Sequence, residues 1–291
     1  MNFNKLALGT VQFGMDYGIS NNSGQTSINE ISRILNLANK LDISLIDTAI
    51  SYGSSEKNLG EVGVSNFNII SKLPSGVLKN QQTQGFILKH INESLVRLNK
   101  QSLYGFLSHN ASDLLSPNGE NIYRVLLEAK KNGLINKIGA SVYHPDEITQ
   151  LMNYYDLDII QAPFNIIDDR LVKSGLMRDL YKSNVELHVR SVFLQGLLLM
   201  DPSVRLLRFN KWKNLWNSWE EWLNDLKITP IEACFSYAFS FDEISKIIIG
   251  VETEQQLKEI ANLKLIKSIK IPDNLKIDDQ LLINPANWSH L

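Results

Sequence analysis

Four side chains of complementary chemistry follow short apolar runs in the first half of this chain: Asp47 and Tyr52 in LIDTAISYG, Lys72 in IISKLP and His109 in YGFLSHN. A carboxylate, a phenol, an ammonium and an imidazole set at or just past the ends of successive strands converge on one rim if those strands form a parallel barrel. A tyrosine with a pKa near ~10 is a poor acid at neutral pH, so a proton-donating role for Tyr52 requires neighbours that stabilise its phenolate. Lys72 supplies positive charge, Asp47 holds Lys72 in place and keeps it protonated, and His109 donates a hydrogen bond to the same region. Together they suit protonation of a carbonyl oxygen that is gaining negative charge. Taken singly, each has a plainer reading: Asp47 as a cap or turn residue, Tyr52 as a rim aromatic, Lys72 as a solvated loop end, His109 as a core histidine. Their combination at successive strand ends favours chemistry.

The elements that must position them alternate along the whole chain, apolar strand then helical period, which is the pattern of repeated βα units. Strands are expected at Leu6–Gly9, Ser44–Asp47, Asn68–Ser71, Leu103–Leu107, Lys137–Ala140, Asp158–Gln161, Glu186–Ser191 and Ile244–Ile249. Eight parallel strands with crossover helices imply an α/β fold, a (β/α)8 TIM barrel forming a single domain over residues 1–291. Helix starts are readable at Ser27 with Glu30, a capping-box pattern, and at Pro230, which opens a helix through Phe239. A helix over Asn121–Lys131 ends at Gly133. Between the seventh strand and its helix, Trp212, Trp216, Trp219, Trp222 and Leu226 recur at helical spacing. They predict an extra amphipathic helix packed on the barrel, in preference to a substrate lid or a partner surface. The tail from Pro272, with Trp288, is expected to wrap the barrel.

At 291 residues and 44% hydrophobic, the chain can bury a large core, and its net charge of −2 comes from interspersed acidic and basic residues. No basic stripe for nucleic acid and no polybasic membrane anchor stands out, so a small-molecule partner is expected. MNFNKLALGTVQFG lacks the features of a signal peptide, and no apolar run approaches the ~18 residues of a membrane span, which fits a cytoplasmic protein. The one cysteine, Cys234, lies in the apolar pattern IEACFSYAF and reads as a buried structural thiol. His90, His144, His188 and His290 are isolated, and Asp168-Asp169 has no histidine at ligand spacing, so no metal is implied. Asp168, Asp169 and Arg170 read as a helix cap or a charge pair.

These motifs resemble those of the aldo-keto reductase family over nearly the full chain. LALGTVQFG is similar to its first strand, DTAISYGSSEKNLG to its second strand, active-site tyrosine and following helix, and ISKLP and FLSHN to the rest of its catalytic set. The resemblance implies reversible reduction of an aldehyde or ketone by a bound NADPH or NADH. It maps Asp47, Tyr52, Lys72 and His109 onto the catalytic positions, with Tyr52 as general acid. It also implies cofactor contacts at Gly9 and Thr10, at Ser141 and Gln161 for the nicotinamide carboxamide, and at Arg190 and Ser191 for the ring-stacking and phosphate neighbourhood. IIIGVETEQQLKEI resembles the family's last strand and helix, which places Gly250, Glu252 and Gln256 near the adenosine; Thr253 and Gln256 are equally a helix-capping pair. Two departures matter. Val142 stands where the family often has Asn after the carboxamide serine, and Arg190 replaces the aromatic often found against the nicotinamide. No GxGxxG is present, so no Rossmann domain is indicated.

Relatives preferring NADPH commonly place Lys or Arg around the 2′-phosphate, and a carboxylate there repels it. Glu252 therefore favours NADH at least comparably with NADPH; otherwise Arg190 or Arg205 must supply the missing charge. Met15, Tyr17, Tyr143, Phe164 and Phe193 are candidates for an aromatic substrate wall, compatible with sugars, aryl aldehydes and lipidic aldehydes, and the FLQGLLL stretch points toward a sugar-like carbonyl. Two other functions remain open: a non-catalytic cofactor-binding regulatory subunit, and a Schiff-base lyase using Lys72.

Overall fold

The computed structural model describes residues 1–21, 23–76 and 83–291, and the side chain of His290 lies outside the described residues. Eight strands form: Leu6–Gly9 (β1), Leu45–Asp47 (β2), Asn68–Leu73 (β3), Leu103–Ser108 (β4), Ile135–Ser141 (β5), Ile159–Pro163 (β6), Glu186–Arg190 (β7) and Ile244–Gly250 (β8). Each pairs in parallel with its sequence neighbour, and β8 pairs with β1 to close the barrel. β3 and β5 run past the expected limits because ladder pairing continues through polar residues: Lys72 pairs with Leu107, and Ile135 with Leu103.

The alternation of side chains along a strand then decides what faces the interior. Ala7, Leu45, Ile70, Leu107, Ile159 and Ile248 form one apolar layer inside the barrel. Two residues further along each strand lie Gly9, Asp47, Lys72, His109, Gln161 and Gly250, so the interior apolar layer forms the floor on which these groups stand. The intervening residues, such as Leu8, Ile46 and Ile160, pack outward in the main core with the helices. Gly105 has a steric reason: a Cβ there would come within 3.0 Å of Ile159 Cδ1 and 3.2 Å of Ile70 Cγ1. Nearer the opposite end of the strands, Tyr104 and Lys137 bond the Glu186 carboxylate, and His188 lies 2.9 Å from its other oxygen. Burial opposes ionisation of Glu186, but His188, Lys137 and Tyr104 outweigh it and hold its pKa at about 2.

The helix expected from Ser27 spans Ile28–Lys40, and the Ser27 hydroxyl accepts the Glu30 N–H at 3.3 Å. The reciprocal half of the box does not form, because the Glu30 carboxylate accepts the Glu254 N–H at 2.6 Å and pairs with Arg33. It thus ties this helix to the start of Glu254–Ala261. Pro230–Phe239 has the expected limits and a complete box between Thr229 and Glu232. The helix ending before Gly133 spans Gly119–Lys131. The tryptophan periodicity produces a helix at Lys213–Leu226, with Trp216 and Trp219 buried, and Trp212 and Trp288 are buried beside it. Trp216 Nε1 donates to Phe209 O at 2.9 Å, tying this helix to the turn before it, and Trp212 Nε1 in that turn donates to Asp279 of the C-terminal tail at 3.1 Å. Leu226 departs from the stripe and is largely exposed at the helix end. Cys234 is buried, and Arg170 pairs with Asp168 at 2.8 Å. No helix among the described residues is long and apolar enough to cross a membrane.

Candidate active site

β2 and β3 place Asp47 and Lys72 side by side. Lys72 Nζ donates to Asp47 Oδ2 at 2.6 Å and to Thr48 O at 2.9 Å. Gln161 Nε2, across the barrel on β6, donates to Asp47 Oδ1 at 2.7 Å, so both carboxylate oxygens are engaged. Tyr52, in the turn after β2, lies with its ring centroid 5.1 Å from Lys72 Nζ. His109 follows β4 and meets the Tyr52 ring edge-on, with centroids 5.6 Å apart and planes at 76°. All four expected residues are therefore brought together.

Gly14 and Gly53 make that turn possible. Gly53 has φ +55°, and a Cβ there would come within 2.3 Å of Gly14 O; a Cβ on Gly14 would come within 1.8 Å of Tyr52 O. Such close backbone approach admits only glycine, and it fixes the chain that carries Tyr52.

Burial opposes charge on Lys72, but Asp47 and Tyr52 more than compensate, so its pKa lies above the ordinary lysine value. The ammonium persists in a fully buried position. Burial raises the Tyr52 phenol above its ordinary range; Lys72 and Arg190 pull it back, while Asp47 adds to the rise. Burial, followed by the Lys72 charge, lowers His109 to about 4, which leaves a neutral imidazole at pH 7.

These groups open onto a cavity of ≈ 540 Å³ that Tyr52, His109 and Asp47 share with Gly9, Thr10, Ser141, Gln161, Arg190, Ser191, Gly250, Glu252 and Gln256. Lys72 stands behind this wall. Of the aromatic candidates, Tyr17, Tyr143 and Phe193 line the cavity. Phe164 does not: it is buried, stacked on Tyr237 at 5.2 Å with planes 1° apart, because its position puts it on the helix side of the barrel. Met15 is exposed and outside the lining. Arg205 is also excluded from the cavity; it pairs with Glu220 at 3.1 Å and lies over Trp216. Thr10 lines the cavity, but its hydroxyl donates to Asp47 O at 3.1 Å and accepts from Ser55 Oγ at 2.9 Å. The two unusual positions prove to be connected, since Arg190 Nη2 donates to Val142 O at 2.9 Å.

Among the lining residues that sequence reasoning did not single out are Gln12, Glu259 and Gln195. Gln12 has a buried Oε1 with no partner, Glu259 adds a second carboxylate near Glu252, and Gln195 Nε2 donates to Tyr17 OH at 3.0 Å. Glu259 sits at i+3 after Gln256 on one helix, a spacing that marks the same face, whereas Gln12 follows the first strand through a turn and the Tyr17 contact spans distant loops, so neither leaves a local signal.

The geometry agrees with comparison to known proteins, as the model of the aldo/keto reductase family matches residues 5–278. The chain belongs to that family. It is 28% identical over 183 residues to an NADH-specific methylglyoxal reductase of Escherichia coli, covering 55% of this chain and 56% of that protein. Thus the matched segment spans little more than half of that relative. A holo-form aldo-keto reductase of Bacillus halodurans has the same fold, with TM-score 0.71, 18% identity, and coverage of 90% of this chain and 88% of that one. A glycerol dehydrogenase of Gluconobacter oxydans gives 0.67, 21%, 89% and 86%.

Aldo-keto reductases use NAD(P)H, and the cavity residues fit such a group. The orphaned Gln12 Oε1 in the lining awaits a donor, and its amide lies against Gly250, where a Cβ would meet Nε2 at 2.6 Å. Arg190 is the one cation in the described lining. Beside it, Ser191, Leu194, Gln195 and Gly196 all have positive φ. The loop closes on itself, since the Leu194 N–H donates to Ser191 O at 2.9 Å and the Gly196 N–H to Phe193 O at 3.0 Å. Among the described residues no group of three His, Cys, Asp or Glu side chains is placed to hold a metal ion.

Proposed function

We propose that this chain, acting as one domain over residues 1–291, is an NAD(P)H-dependent reductase of aldehydes or ketones, with Tyr52 as the proton donor. The observation that carries this reading is the buried Lys72 ammonium, 2.6 Å from Asp47 and 5.1 Å from the Tyr52 ring centroid, behind a cavity wall shared with His109. As a carbonyl oxygen gains negative charge, Tyr52 releases its proton to it. Lys72 stabilises the phenolate left behind, Asp47 keeps Lys72 charged, and Gln161 fixes the other Asp47 oxygen. The neutral His109 orients the carbonyl. A reduced nicotinamide, when bound, supplies the hydride. Ser141 and Gln161 would hold its nicotinamide and Ser191 its phosphate portion, with Arg190 beside them, and Gly9, Thr10, Gly250, Glu252 and Gln256 its remaining length.

Glu252 and Glu259 disfavour a 2′-phosphate, so NADH is accepted at least comparably with NADPH. The E. coli relative's NADH specificity agrees with this. A small carbonyl such as methylglyoxal is the first substrate to try, and the aromatic rim of Tyr17, Tyr143 and Phe193 also accommodates a sugar-like one. A Lys72 Schiff base is disfavoured because a fully paired ammonium is not a nucleophile. The test is a carbonyl screen followed at 340 nm with each nicotinamide. NADH-dependent turnover supports the reading; no turnover with either cofactor across neutral and charged carbonyls refutes it in favour of the regulatory alternative.

A further inference from the structure

We propose that Arg190 is a clamp for an anionic group on the substrate, so that the site takes carbonyl compounds carrying a carboxylate or phosphate close to the carbonyl. This rests on the reductase reading and narrows it to a substrate class. The starting observation is a charge imbalance. Lys72 is neutralised by Asp47, whose oxygens are both engaged, and His109 is uncharged at pH 7. Arg190, part-buried in the cavity wall, makes no ion pair with any carboxylate among the described residues. Glu252 does not compensate it: its N–H is bonded to Gln256 Oε1, and its ionisation responds to burial and Gln256 alone.

Arg190 is nonetheless held firmly. Its guanidinium carbon lies 4.6 Å from the Tyr143 ring centroid, Nη2 donates to Val142 O at 2.9 Å, and Nη1 donates to Ser191 Oγ at 3.4 Å. These contacts are neutral, so they orient the cation without cancelling it, and most of its five N–H donors stay available. A preorganised, uncompensated guanidinium in a partly desolvated wall is an anion site, with the fork geometry that suits carboxylate and phosphate.

Its position decides between two sources of anion. Arg190 pairs with Pro163, two residues past Gln161, whose amide donates to Asp47 beside Lys72, and Arg190, Gln161 and Asp47 line the same cavity as Tyr52 and His109, which places Arg190 at the carbonyl end. Ser191, which also lines the cavity, is a separate contact for cofactor phosphate. An anionic substituent on the substrate therefore reaches Arg190 while its carbonyl lies at Tyr52.

The test compares glyoxylate, which carries a carboxylate beside its aldehyde, with neutral methylglyoxal in wild type, Arg190→Gln and Arg190→Lys, alongside NADH binding by fluorescence quenching. Wild type is expected to reduce glyoxylate with the lower KM. Arg190→Gln should lower the glyoxylate-to-methylglyoxal ratio of kcat/KM by about 10- to 100-fold, the range of a charged hydrogen bond. Arg190→Lys keeps the charge but not the fork and should lower the ratio by a smaller factor; it carries the test if the Gln variant does not fold. An unchanged ratio, with NADH affinity falling instead, would assign the anion to the cofactor and overturn the proposal. Turnover of methylglyoxal but not glyoxylate by wild type would overturn it while leaving the reductase reading intact. Turnover of neither carbonyl overturns this inference, and turnover of none in the wider carbonyl screen removes the reductase reading with it.

Discussion

Asp47→Asn isolates the electrostatics of the site. In wild type the Lys72 and Asp47 side chains are 0% and 5% exposed. Removing one partner of so buried a pair strands the other charge at a typical cost of ~3–5 kcal/mol. The Asn side chain keeps one oxygen, enough to accept from Lys72 or Gln161 but not from both in the present geometry, so a second buried donor loses its acceptor. The pH dependence then separates this mechanism from general loosening. In wild type the folded-state pKa of Lys72 is raised, so the pair's contribution is complete below the unfolded value near ~10.4 and is lost as pH rises through the folded pKa. In the variant, burial, the largest influence on Lys72, is opposed by Tyr52 alone, and the folded-state pKa is expected to fall below the unfolded one. The unfolded chain then binds more protons, and the variant gains about 1.4 kcal/mol per pH unit as pH rises between the two values. Urea unfolding at pH 7.0 and 9.5 reads both effects. The expected result is a loss of ~3–5 kcal/mol at pH 7.0 that narrows by more than ~1 kcal/mol at pH 9.5. A loss below ~1 kcal/mol, or a gap independent of pH, would refute the account of Lys72 as a buried ammonium held by Asp47.

Three further outcomes are expected. With His109 at about 4, kcat/KM should show no break near pH 6.5; such a break, abolished by His109→Gln, would contradict a neutral imidazole. Because that folded-state pKa lies below the unfolded ~6.5, His109 also contributes a loss of stability as pH falls from ~6.5 toward 4. Glu252→Lys should improve NADPH affinity relative to NADH by about tenfold, or ~1.4 kcal/mol, measured by fluorescence titration; no change would place the 2′-hydroxyl elsewhere. Phe164→Ala should destabilise the fold by ~3–5 kcal/mol in urea unfolding, as loss of a buried stacked ring. A KM change without destabilisation would restore Phe164 to the substrate wall.

What was legible in the sequence follows from period. Strands with alternating faces placed Asp47, Lys72, His109 and Gln161 together, because each stands two residues beyond an interior apolar side chain. Pro230 marked the start of a helix to the residue, since proline acts locally, and the structure adds the Thr229–Glu232 box that caps it. Phe164 was misplaced because an aromatic just past a strand end looks the same from sequence whichever side of the barrel it faces; here it packs with Tyr237 and Phe241. The Glu30 capping box was half right, since a distant N–H on Glu254 competes for its carboxylate. Likewise, Val142 and Arg190 read as two separate departures, and only the fold joins them, through a carbonyl that any residue at position 142 would offer.

The central claim is that Tyr52 delivers the proton. Single-turnover reduction of methylglyoxal by wild type and Tyr52→Phe, with saturating NADH and matched thermal unfolding, tests it most directly. The expected rate is lower by ~10²–10⁴ with the fold and NADH binding retained. A folded, NADH-binding Tyr52→Phe protein that reduces the carbonyl at the wild-type rate would contradict it.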